Sequence, residues 1–404
     1  MLTPKQVKTL RTAIENSQSP LFIHDDDPDG LCAFLLLYDI KREGKALMLK
    51  AAPKLDTRFL RKIEHLSYDS LFILDVPQVE QDFIDQIKTP IYWIDHHGPE
   101  RPKKANYFNP KLNNPDGYFP TTYCAWQINP NKDKMWLAMA GCLADWCLPD
   151  FTKDFQKKYP KLLKKSQTKD IGTAFFKSKI GIISVLLFFM YKGSNNDVQK
   201  RLSVMRQISG PEEILDQTTP KGKFLWKHYA KTNKAYEYHI TKASTCKTKS
   251  KLLIYNYIDS RFSFTSILAN QLQWLHKNKV ILITRKSDGK YKCSLRAQFP
   301  IVDALKDALE GLEGYGGGHP TACGAVVAEI DWEHFIRKFE ENIVKSWPKK
   351  TIKKIEKKET TKTGPQSGTD LGTGTVSKKS ISKKIKKIST KKPKIKKTKK
   401  IDSK

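Results

Sequence analysis

The feature that most constrains the fold is a regular alternation of short apolar runs and amphipathic stretches between residues 21 and 97. The apolar runs predict strands at residues 21–24, 46–52, 70–76 and 91–97, and the stretches between them predict helices at about residues 30–42, 56–65 and 79–87. Strands that alternate with helices form βαβ units, which build a mostly parallel sheet with helices on both faces. The N-terminal part of the chain is therefore predicted to be an α/β domain.

Polar residues stand at the carboxyl ends of three of these four predicted strands. The carboxyl ends of parallel strands line a single crevice, which is where ligands bind in open α/β sheets. A predicted helix at residues 135–147 would return a further carboxylate, Asp145, to that crevice. We therefore expect the following side chains to converge: His24, Asp25, Asp27 and Asp29 at and just after the end of the first strand, Asp75 at the end of the third, and Asp95, His96 and His97 at the end of the fourth.

A cluster of this kind predicts a metal site. Ionised carboxylates repel one another, so gathering several of them is unfavourable unless cations are bound. A mixed carboxylate and imidazole set suits two Mn²⁺ ions, with Mg²⁺ or Co²⁺ as substitutes, better than it suits a thiolate zinc site. Two such ions ~3.5–4 Å apart can activate a water and stabilise both oxygens of a phosphate ester under attack. A single aspartate at a strand end is more often a helix cap, so the prediction depends on the whole set.

The charge of the chain narrows the choice of partner. Its 404 residues include 73 Lys and Arg against 42 Asp and Glu, a formal net charge of +31, which favours a polyanion such as nucleic acid. Residues 348–404 lose their aromatics and contain 21 Lys and four acidic residues, which predicts a disordered basic tail that tethers DNA or RNA, or else only keeps the chain in solution.

The cysteines and the apolar runs indicate a compartment. The seven cysteines form no C-x-x-C pair, and the N-terminus carries no apolar secretory segment. The longest apolar run, at residues 180–191, is about half of the ~20 residues that span a bilayer. We therefore expect a cytoplasmic protein that does not enter a membrane.

A second, smaller α/β unit is predicted at residues 244–347. It shows strand patterns at residues 252–257, 280–285 and 291–296, helix patterns at about residues 261–276 and 302–309, and a glycine run at residues 314–318 that leads into His319. Residues 151–243 are rich in lysine and mostly helical in pattern. We expect them to connect this unit to the N-terminal domain at residues 1–150.

The strand-end motifs resemble those of the DHH phosphoesterase superfamily, which includes RecJ-like exonucleases and small-nucleotide phosphodiesterases. Its four motifs correspond here to Asp25-Asp26-Asp27-Pro28-Asp29-Gly30, Leu74-Asp75, Asp95-His96-His97 and Ala144-Asp145. The resemblance implies a DHH-type catalytic domain at residues 1–150. It also implies the metal ligands Asp25, Asp27, Asp29, Asp75, His96 and Asp145.

The same resemblance implies roles for the individual side chains. Asp75 would be shared by two ions, His97 would contact the substrate phosphate, and Asp95 would support the histidines, so that Asp75, Asp95, His96 and His97 form the catalytic set. The first ligand is open between His24 and Asp25, and Asp25 is favoured because Asp-x-Asp-x-Asp-Gly matches the RecJ-like form.

The C-terminal unit resembles the DHHA1 domain that accompanies this family, whose signature is a glycine run followed by histidine. Successive glycines allow backbone N–H groups to converge into an anion-binding nest. The resemblance implies a substrate site formed by Gly316, Gly317, Gly318 and His319 with Arg296, whose guanidinium suits bidentate contact with phosphate. Thr121 and Thr122 either position the metal-bridging region or cap the following helix; the cap is preferred, and the two residues are left out of the site.

The expected function is metal-dependent hydrolysis of phosphodiester bonds in single-stranded nucleic acid or short oligonucleotides, with exonucleolytic action favoured. Two alternatives stay open. One is an enzyme for small nucleotides, either a phosphatase or a cyclic-dinucleotide phosphodiesterase, and the other is a catalytically silent nucleic-acid-binding scaffold. Candidates for stacking on bases, with core packing as their commoner role, are Tyr257, Phe262, Phe264, Trp274 and Tyr315.

Overall fold

The N-terminal alternation folds into a parallel sheet. The computed structural model describes residues 1–49, 54–246, 248–258 and 262–348. The strands of the first sheet are β1 (Pro20–Asp25), β2 (Lys45–Leu49), β3 (Ser70–Leu74), β4 (Ile91–Ile94) and β5 (Asn106–Phe108). They lie in the order β2-β1-β3-β4-β5, and each pairing is parallel. The carboxyl ends of β1, β3 and β4 are therefore neighbours at one edge of the sheet.

Helices cover both faces of this sheet. Phe22 and Phe72 lie on one face of the sheet, in the larger of its two hydrophobic cores. Ile73 and Trp93 pack in a smaller core on the opposite face. Because both faces are apolar and covered, polar side chains can gather only at the strand ends. The helices of this part are α1 (Pro4–Asn16), α2 (Pro28–Tyr38), α3 (Leu60–Ile63), α4 (Gln81–Gln86), α5 (Thr121–Ile128) and α6 (Met135–Ala144).

The connecting region is helical. It comprises α7 (Thr152–Lys158), α8 (Ile171–Lys177), α9 (Lys179–Met190), α10 (Asn195–Met205), α11 (Pro211–Leu215) and α12 (Pro220–Ser244). α9 is apolar on all sides and lies in the larger core, where Leu187 and Phe189 are fully buried. Within the described residues, no single helix has the length and apolarity to cross a membrane. Helices α8 and α9, which meet at a bend of 77°, have that length and apolarity only when they are counted together.

The C-terminal unit contains a mixed five-stranded sheet. Its strands are β6 (Leu252–Tyr257), β7 (Val280–Ser287), β8 (Lys290–Arg296), β9 (Gly314–His319) and β10 (Ala322–Ala328). They lie in the order β6-β7-β8-β10-β9, and only β6 and β7 are parallel. α13 (Thr265–Leu275) packs against β7 and β8. α14 (Val302–Leu309) and α15 (Trp332–Ser346) pack on the opposite face around Leu305 and Phe335.

The predicted fold class is confirmed, with local differences. The sequence pattern does not predict α1, α15, the three-residue β5 or the glycine- and alanine-rich β10. The helix predicted at residues 56–65 begins as a 3₁₀ turn at Thr57–Phe59, because the Asp56 carboxylate accepts the N–H of Arg58, and continues as α3.

Parts of three predicted elements lie outside the described residues. They are the end of the strand at residues 46–52, the start of the helix at residues 261–276, including Arg261, and the basic tail from residue 349. Residues Met1–Trp347 form one compact unit. Both sheets belong to this unit.

Candidate metal centre

The carboxylates and imidazoles that follow the predicted strands come together at one edge of the first sheet. They do so because β1, β3 and β4 are neighbours and run parallel, so their carboxyl ends lie side by side. α2 begins at the same place, capped by Asp27, whose Oδ1 accepts the N–H of Gly30 at 2.9 Å. The side chains that gather there are Asp25, Asp27, Asp29, Asp75, His96, His97 and Asp145.

These seven side chains form three overlapping groups, and within each group the candidate ligand atoms lie within 4.8 Å of one another. His96 is central, with its Nε2 at 3.4 Å from Asp75 Oδ1, 3.6 Å from Asp145 Oδ2 and 3.9 Å from Asp29 Oδ2. These distances are longer than the ~2.7–3.2 Å of ordinary N–H···O hydrogen bonds. The three groups are Asp25 with Asp27 and Asp75, Asp29 with His96 and Asp145, and Asp75 with His96 and His97.

Burial makes this cluster unfavourable without cations. Burial, followed by repulsion from neighbouring carboxylates, raises the pKa values of Asp25, Asp75 and Asp145 well above their usual range. Burial also raises the pKa of Asp27. Burial and the charge of Asp27 raise the pKa of Asp29 to about 7. A divalent cation would restore the ionised forms, because its charge offsets their mutual repulsion.

The imidazole of His96 is in the state that metal binding needs. Burial, followed by the charge of His97, lowers the pKa of His96 well below its usual value. The ring is therefore neutral, and neutral imidazole is the form that coordinates metals. Carboxylate oxygens together with a neutral imidazole nitrogen are a donor set that fits Mn²⁺ or Mg²⁺ better than a soft metal.

The directions of two side chains separate His24 from Asp25. The His24 ring stacks on Phe34 with 5.3 Å between centroids, and its Nδ1 lies 2.7 Å from the Asp25 carbonyl oxygen. Successive residues of a strand point to opposite faces. Asp25 therefore points towards Asp27 and Asp75, whereas His24 is buried in the core.

Asp95 and His97 form a hydrogen-bonded pair beside the cluster. Asp95 is fully buried, and its carboxylate accepts the His97 backbone N–H at 2.9 Å and lies 2.7 Å from His97 Nδ1. Burial lowers the pKa of His97, but the hydrogen bond to Asp95 and the nearby carboxylates outweigh it, so the pKa is raised. The ring stacks on His319 with 5.3 Å between centroids. Burial and the charge of His97 lower the pKa of His319 to about 4.

Thr121 and Thr122 belong to the site, so their interpretation as helix caps was wrong. α5 begins at Thr121 without a side-chain cap. The N–H groups of the two threonines donate to the two carboxylate oxygens of Asp29 at 2.8 Å each, and Thr121 Oγ1 donates to Asp75 Oδ1 at 2.9 Å. The first turn of a helix has N–H groups without helical partners and a partial positive charge, which favours a carboxylate at this position.

The backbone of Asp75 is in an uncommon conformation. Its φ angle is 62°, in the left-handed region that non-glycine residues seldom adopt. The hydrogen bond from Thr121 holds the side chain in place. Strained backbone of this kind concentrates at functional sites, where the surrounding structure holds it.

Two further residues at the site were missed by the sequence reasoning. The Tyr118 hydroxyl donates to Asp145 Oδ2 at 2.6 Å, and its ring lies edge-on to His96 with 5.6 Å between centroids. Asn109 Nδ2 donates to the His97 carbonyl oxygen at 3.2 Å. Asn109 directly follows β5, so the rule that found the other strand ends would have found it if β5 had been predicted.

The glycine run forms a strand, so the expected anion-binding nest is wrong. Gly316, Gly317 and Gly318 lie in β9 and pair with residues 325, 324 and 323 of β10. Successive N–H groups of an extended strand point in opposite directions and do not converge; within this run Gly318, with a φ of 134°, departs from the extended conformation. His319, the last residue of β9, nonetheless lies against His97.

Arg296 ends β8 and is held by contacts within the C-terminal unit. Its Nε donates to Asn270 Oδ1 at 2.5 Å, and its Nη1 donates to the Leu295 carbonyl oxygen at 2.8 Å. Burial lowers its pKa to about 10, so the guanidinium stays charged at neutral pH. Arg296 shares a register row with Ala322 and His319, which places it on the sheet face that bears His319.

Comparison with known proteins agrees with this architecture. Residues 253–345 match the DHHA1 domain family. No curated protein sequence matches the chain. RecJ from Thermus thermophilus in complex with Mn²⁺ has a similar structure, with a TM-score of 0.61 at 16% identity over 86% of this chain and 56% of that chain. This chain thus spans about half the length of that RecJ.

Two other solved structures are similar over most of their own length. An exonuclease RecJ bound to manganese gives a TM-score of 0.52 at 15% identity, covering 86% of this chain and 96% of that chain. The DHH domain of a member of the s1p family of ribosomal proteins gives a TM-score of 0.58 at 16% identity, covering 84% and 90% of the two chains.

The fold and the domain match together show what this chain is similar to. The chain has the two-sheet fold shared by RecJ and other DHH proteins. Residues 253–345 belong to the DHHA1 domain family. The predicted C-terminal DHHA1 domain is confirmed by this match, while membership of the whole chain in the DHH superfamily stays a prediction.

Proposed function

We propose that this protein is a divalent-metal-dependent phosphodiesterase that hydrolyses single-stranded nucleic acid or short oligonucleotides, acting as an exonuclease. The convergence of five carboxylates and two imidazoles at the strand ends carries the proposal. Two structures of RecJ, one in complex with Mn²⁺ and one described as an exonuclease bound to manganese, support it by sharing the fold. The net charge of +31 favours a polyanionic substrate.

The residues that would hold two Mn²⁺ ions, or Mg²⁺ or Co²⁺ in their place, are Asp25, Asp27, Asp29, Asp75, His96 and Asp145. Asp75 belongs to two of the ligand groups and so suits a shared position. Bound there, two divalent cations supply Lewis-acid stabilisation of phosphate charge and lower the pKa of a water. Thr121 and Thr122 orient Asp29 and Asp75 by the hydrogen bonds described above.

Substrate contacts come from side chains that border the carboxylate cluster. Asp95 engages Nδ1 of His97 and favours the protonated ring, which leaves Nε2 to donate to a phosphate oxygen. His319 lies against that ring. Arg296 supplies a fixed positive charge on the same face of the second sheet. We assign substrate binding to His97, His319, Arg296 and the strand formed by Gly316, Gly317 and Gly318.

One assay tests the proposal. Purified protein with Mn²⁺ is given 5′-labelled single-stranded DNA, 5′-labelled RNA, a dinucleotide and phosphoadenosine phosphate, with EDTA as the metal-removal control. We expect either progressive shortening of the labelled strand, if hydrolysis starts at the 3′ end, or release of a labelled nucleotide, if it starts at the 5′ end, and EDTA should abolish both. Hydrolysis of only the dinucleotide or the mononucleotide would replace this function with that of a small-nucleotide enzyme. Hydrolysis of none of the four with Mn²⁺, Mg²⁺ or Co²⁺ would contradict the proposal and favour a binding scaffold.

A further inference from the structure

The two faces of the second sheet are covered differently. A side chain at Gly314 or Gly316 would meet Leu309, so these positions face α14. Residues alternate between the faces of a strand, which places Tyr315, Gly317 and His319 on the other face. His319 stacks on His97. The face that bears Tyr315 therefore starts at the candidate metal centre.

This face continues from β9 across β10 and β8. Directly paired residues share a face, and Gly317 pairs with Gly324 while Tyr315 pairs with Val326, which pairs with Lys292. A Cβ atom at Gly317 would have no atom within 4 Å, and one at Gly324 would meet only the Cys293 carbonyl oxygen, at 3.7 Å. At these two glycines the backbone of the sheet is therefore uncovered.

The other end of the same face is covered. Leu253, Ile281 and Ile283 of β6 and β7 are buried in the larger core together with α13. The open part is thus limited to β9, β10 and the Lys292 end of β8, because α13 covers the end of β8 near Arg296. We call it the glycine track and define it by Gly317, Gly324, Val326, Tyr315 and Lys292.

Cationic groups lie beyond Gly317 and Gly324. Lys292 is exposed and pairs with Arg285 of β7, which puts both side chains in the row that ends at Tyr315. The Nε atom of Arg285 is buried and has no hydrogen-bond partner among the described residues. A buried guanidinium N–H without a partner is unfavourable, but the Arg285 residue as a whole stays partly exposed next to Lys292.

Tyr315 is the aromatic residue of the track. It is 71% exposed, which is unusual for a large ring. Other stacking candidates are occupied elsewhere: Tyr257 and Phe264 are buried in the core, and the Trp274 indole donates to Asp170. An exposed ring beside cations and open backbone is the combination with which proteins bind single strands without reading their sequence.

We propose that the glycine track binds a single strand of nucleic acid that runs out from the metal centre, with a base stacked on Tyr315 and the backbone near Lys292 and Arg285. The proposal rests on the function proposed above and adds the length of the substrate. Tyr315 is four residues from His319 along β9, about 13 Å at ~3.3 Å per residue. That distance corresponds to about four nucleotides of a stacked strand at ~3.4 Å each. The track therefore suits a polymer rather than a dinucleotide.

Binding to fluorescein-labelled single strands tests this assignment. Fluorescence anisotropy of the full chain is measured in EDTA, so that hydrolysis does not enter, with a dinucleotide, a pentanucleotide and a strand of about 12 nucleotides. We expect affinity to rise with length. Tyr315→Ala should weaken binding of the long strand by about 5- to 150-fold and Tyr315→Phe should restore it. The matched control is Tyr238→Ala, another exposed tyrosine, on α12.

The lysine is tested in the same way. Lys292→Ala should make the dependence of log affinity on log salt less steep by about 0.7, the value for one phosphate neutralised on a single strand. Lys345→Ala, which removes the same charge from α15 on the opposite face, should leave the slope as it is in the unmodified chain.

The outcomes separate this proposal from the preceding one. Equal long-strand binding by Tyr315→Ala and the unmodified chain, an equal loss in Tyr238→Ala, or affinity that does not rise with length would each overturn the glycine track. If the chain hydrolyses strands while binding is independent of Tyr315, only the track is wrong. If binding depends on Tyr315 but nothing is hydrolysed with any metal, the proposed binding by the glycine track is supported and the proposed phosphodiesterase function is wrong.

Discussion

The two sheets of this protein contribute opposite kinds of surface to one centre. The first sheet is parallel and covered on both faces, so its polar groups gather at the ends of β1, β3 and β4, where they are crowded. The second is mostly antiparallel, and part of one face is left open over Gly317 and Gly324. This contrast follows the general behaviour of the two sheet types. It indicates that the candidate metal ligands and the proposed strand-binding surface are built by separate parts of the chain.

The largest expected effect comes from breaking the carboxylate cluster. Asp75→Ala removes a side chain that belongs to two of the three ligand groups. We expect hydrolysis to fall more than about 100-fold, because even residues that only support metal ligands typically account for 10–100-fold. Strand binding by the second sheet should persist, as measured by anisotropy beside the rate assay.

The control for this change lies at the opposite end of the same strand. Asp69 precedes β3 and accepts hydrogen bonds from the Ser17 hydroxyl and the Gln18 N–H. Asp69→Ala should therefore affect stability more than hydrolysis. Equal hydrolysis by Asp75→Ala and the unmodified chain in Mn²⁺ would show that the cluster is not the reactive centre.

A smaller effect should come from loosening one ligand without removing it. Tyr118→Phe deletes the hydroxyl that donates to Asp145 at 2.6 Å. We expect metal affinity or kcat/KM to fall about 10- to 100-fold, read from metal titrations of the rate. Tyr123→Phe deletes a comparable bond to Asp150, at 2.9 Å and outside the cluster, and should change neither quantity. Similar values for the two variants would argue against a role for Tyr118.

The crowding of the first sheet predicts a dependence of stability on pH in the metal-free protein. Raised pKa values mean that the folded state holds protons on these carboxyls more tightly than the unfolded chain, whose aspartates titrate near 3.9. The stability contributed by these protons is full below that value and is lost as pH rises through the folded pKa, about 7 for Asp29. The buried His24 and His96, whose pKa values are lowered, contribute the opposite trend only below about pH 6.5.

We therefore expect the Tm of the metal-free protein to fall between about pH 6.5 and 8, and added Mn²⁺ to reduce that fall. Differential scanning calorimetry with EDTA or Mn²⁺ measures both curves. Asp29→Asn, which keeps the shape but not the charge, should flatten the metal-free curve. A metal-free Tm that rises over this range would contradict the raised pKa values of the clustered carboxyl groups.

The smallest effect is expected from the basic tail. Deleting residues 348–404 removes 21 lysines. If the tail tethers nucleic acid, KM for a long strand should rise, and the salt dependence of binding should become less steep by about 0.7 for each phosphate that the tail neutralises. A tail of equal length made of glycine and serine is the control. Unchanged salt dependence would leave the tail with a role in solubility only.

Much of the fold and of the candidate site could be predicted because local patterns carry it. Strands β1 to β4 of the first sheet appear in the sequence as apolar runs, and the parallel topology then brings Asp75 and His96 together. The glycine run also marked the second sheet, although its conformation as β9 was missed, because glycine permits both a nest and a strand and only the partner β10 decides between them.

Other residues of the site could not be found from local patterns. Thr121 and Thr122 bind Asp29, about 90 positions earlier in the chain, through backbone N–H groups that any residue type would offer. Tyr118 approaches Asp145 from a stretch without regular structure. Such contacts join segments that are distant in sequence, and no periodicity encodes them.

The sequence alone determined the α/β class, the strand-end chemistry and the family resemblance, because these depend on residue type and on short-range spacing. Only the tertiary structure decided that Asp25 rather than His24 points to the cluster, that the helix N-terminus at Thr121 holds Asp29, and that Tyr315 is exposed whereas Tyr257 is buried. The physical reason is that orientation and burial depend on which elements pack together. That packing is set by contacts between residues far apart along the chain.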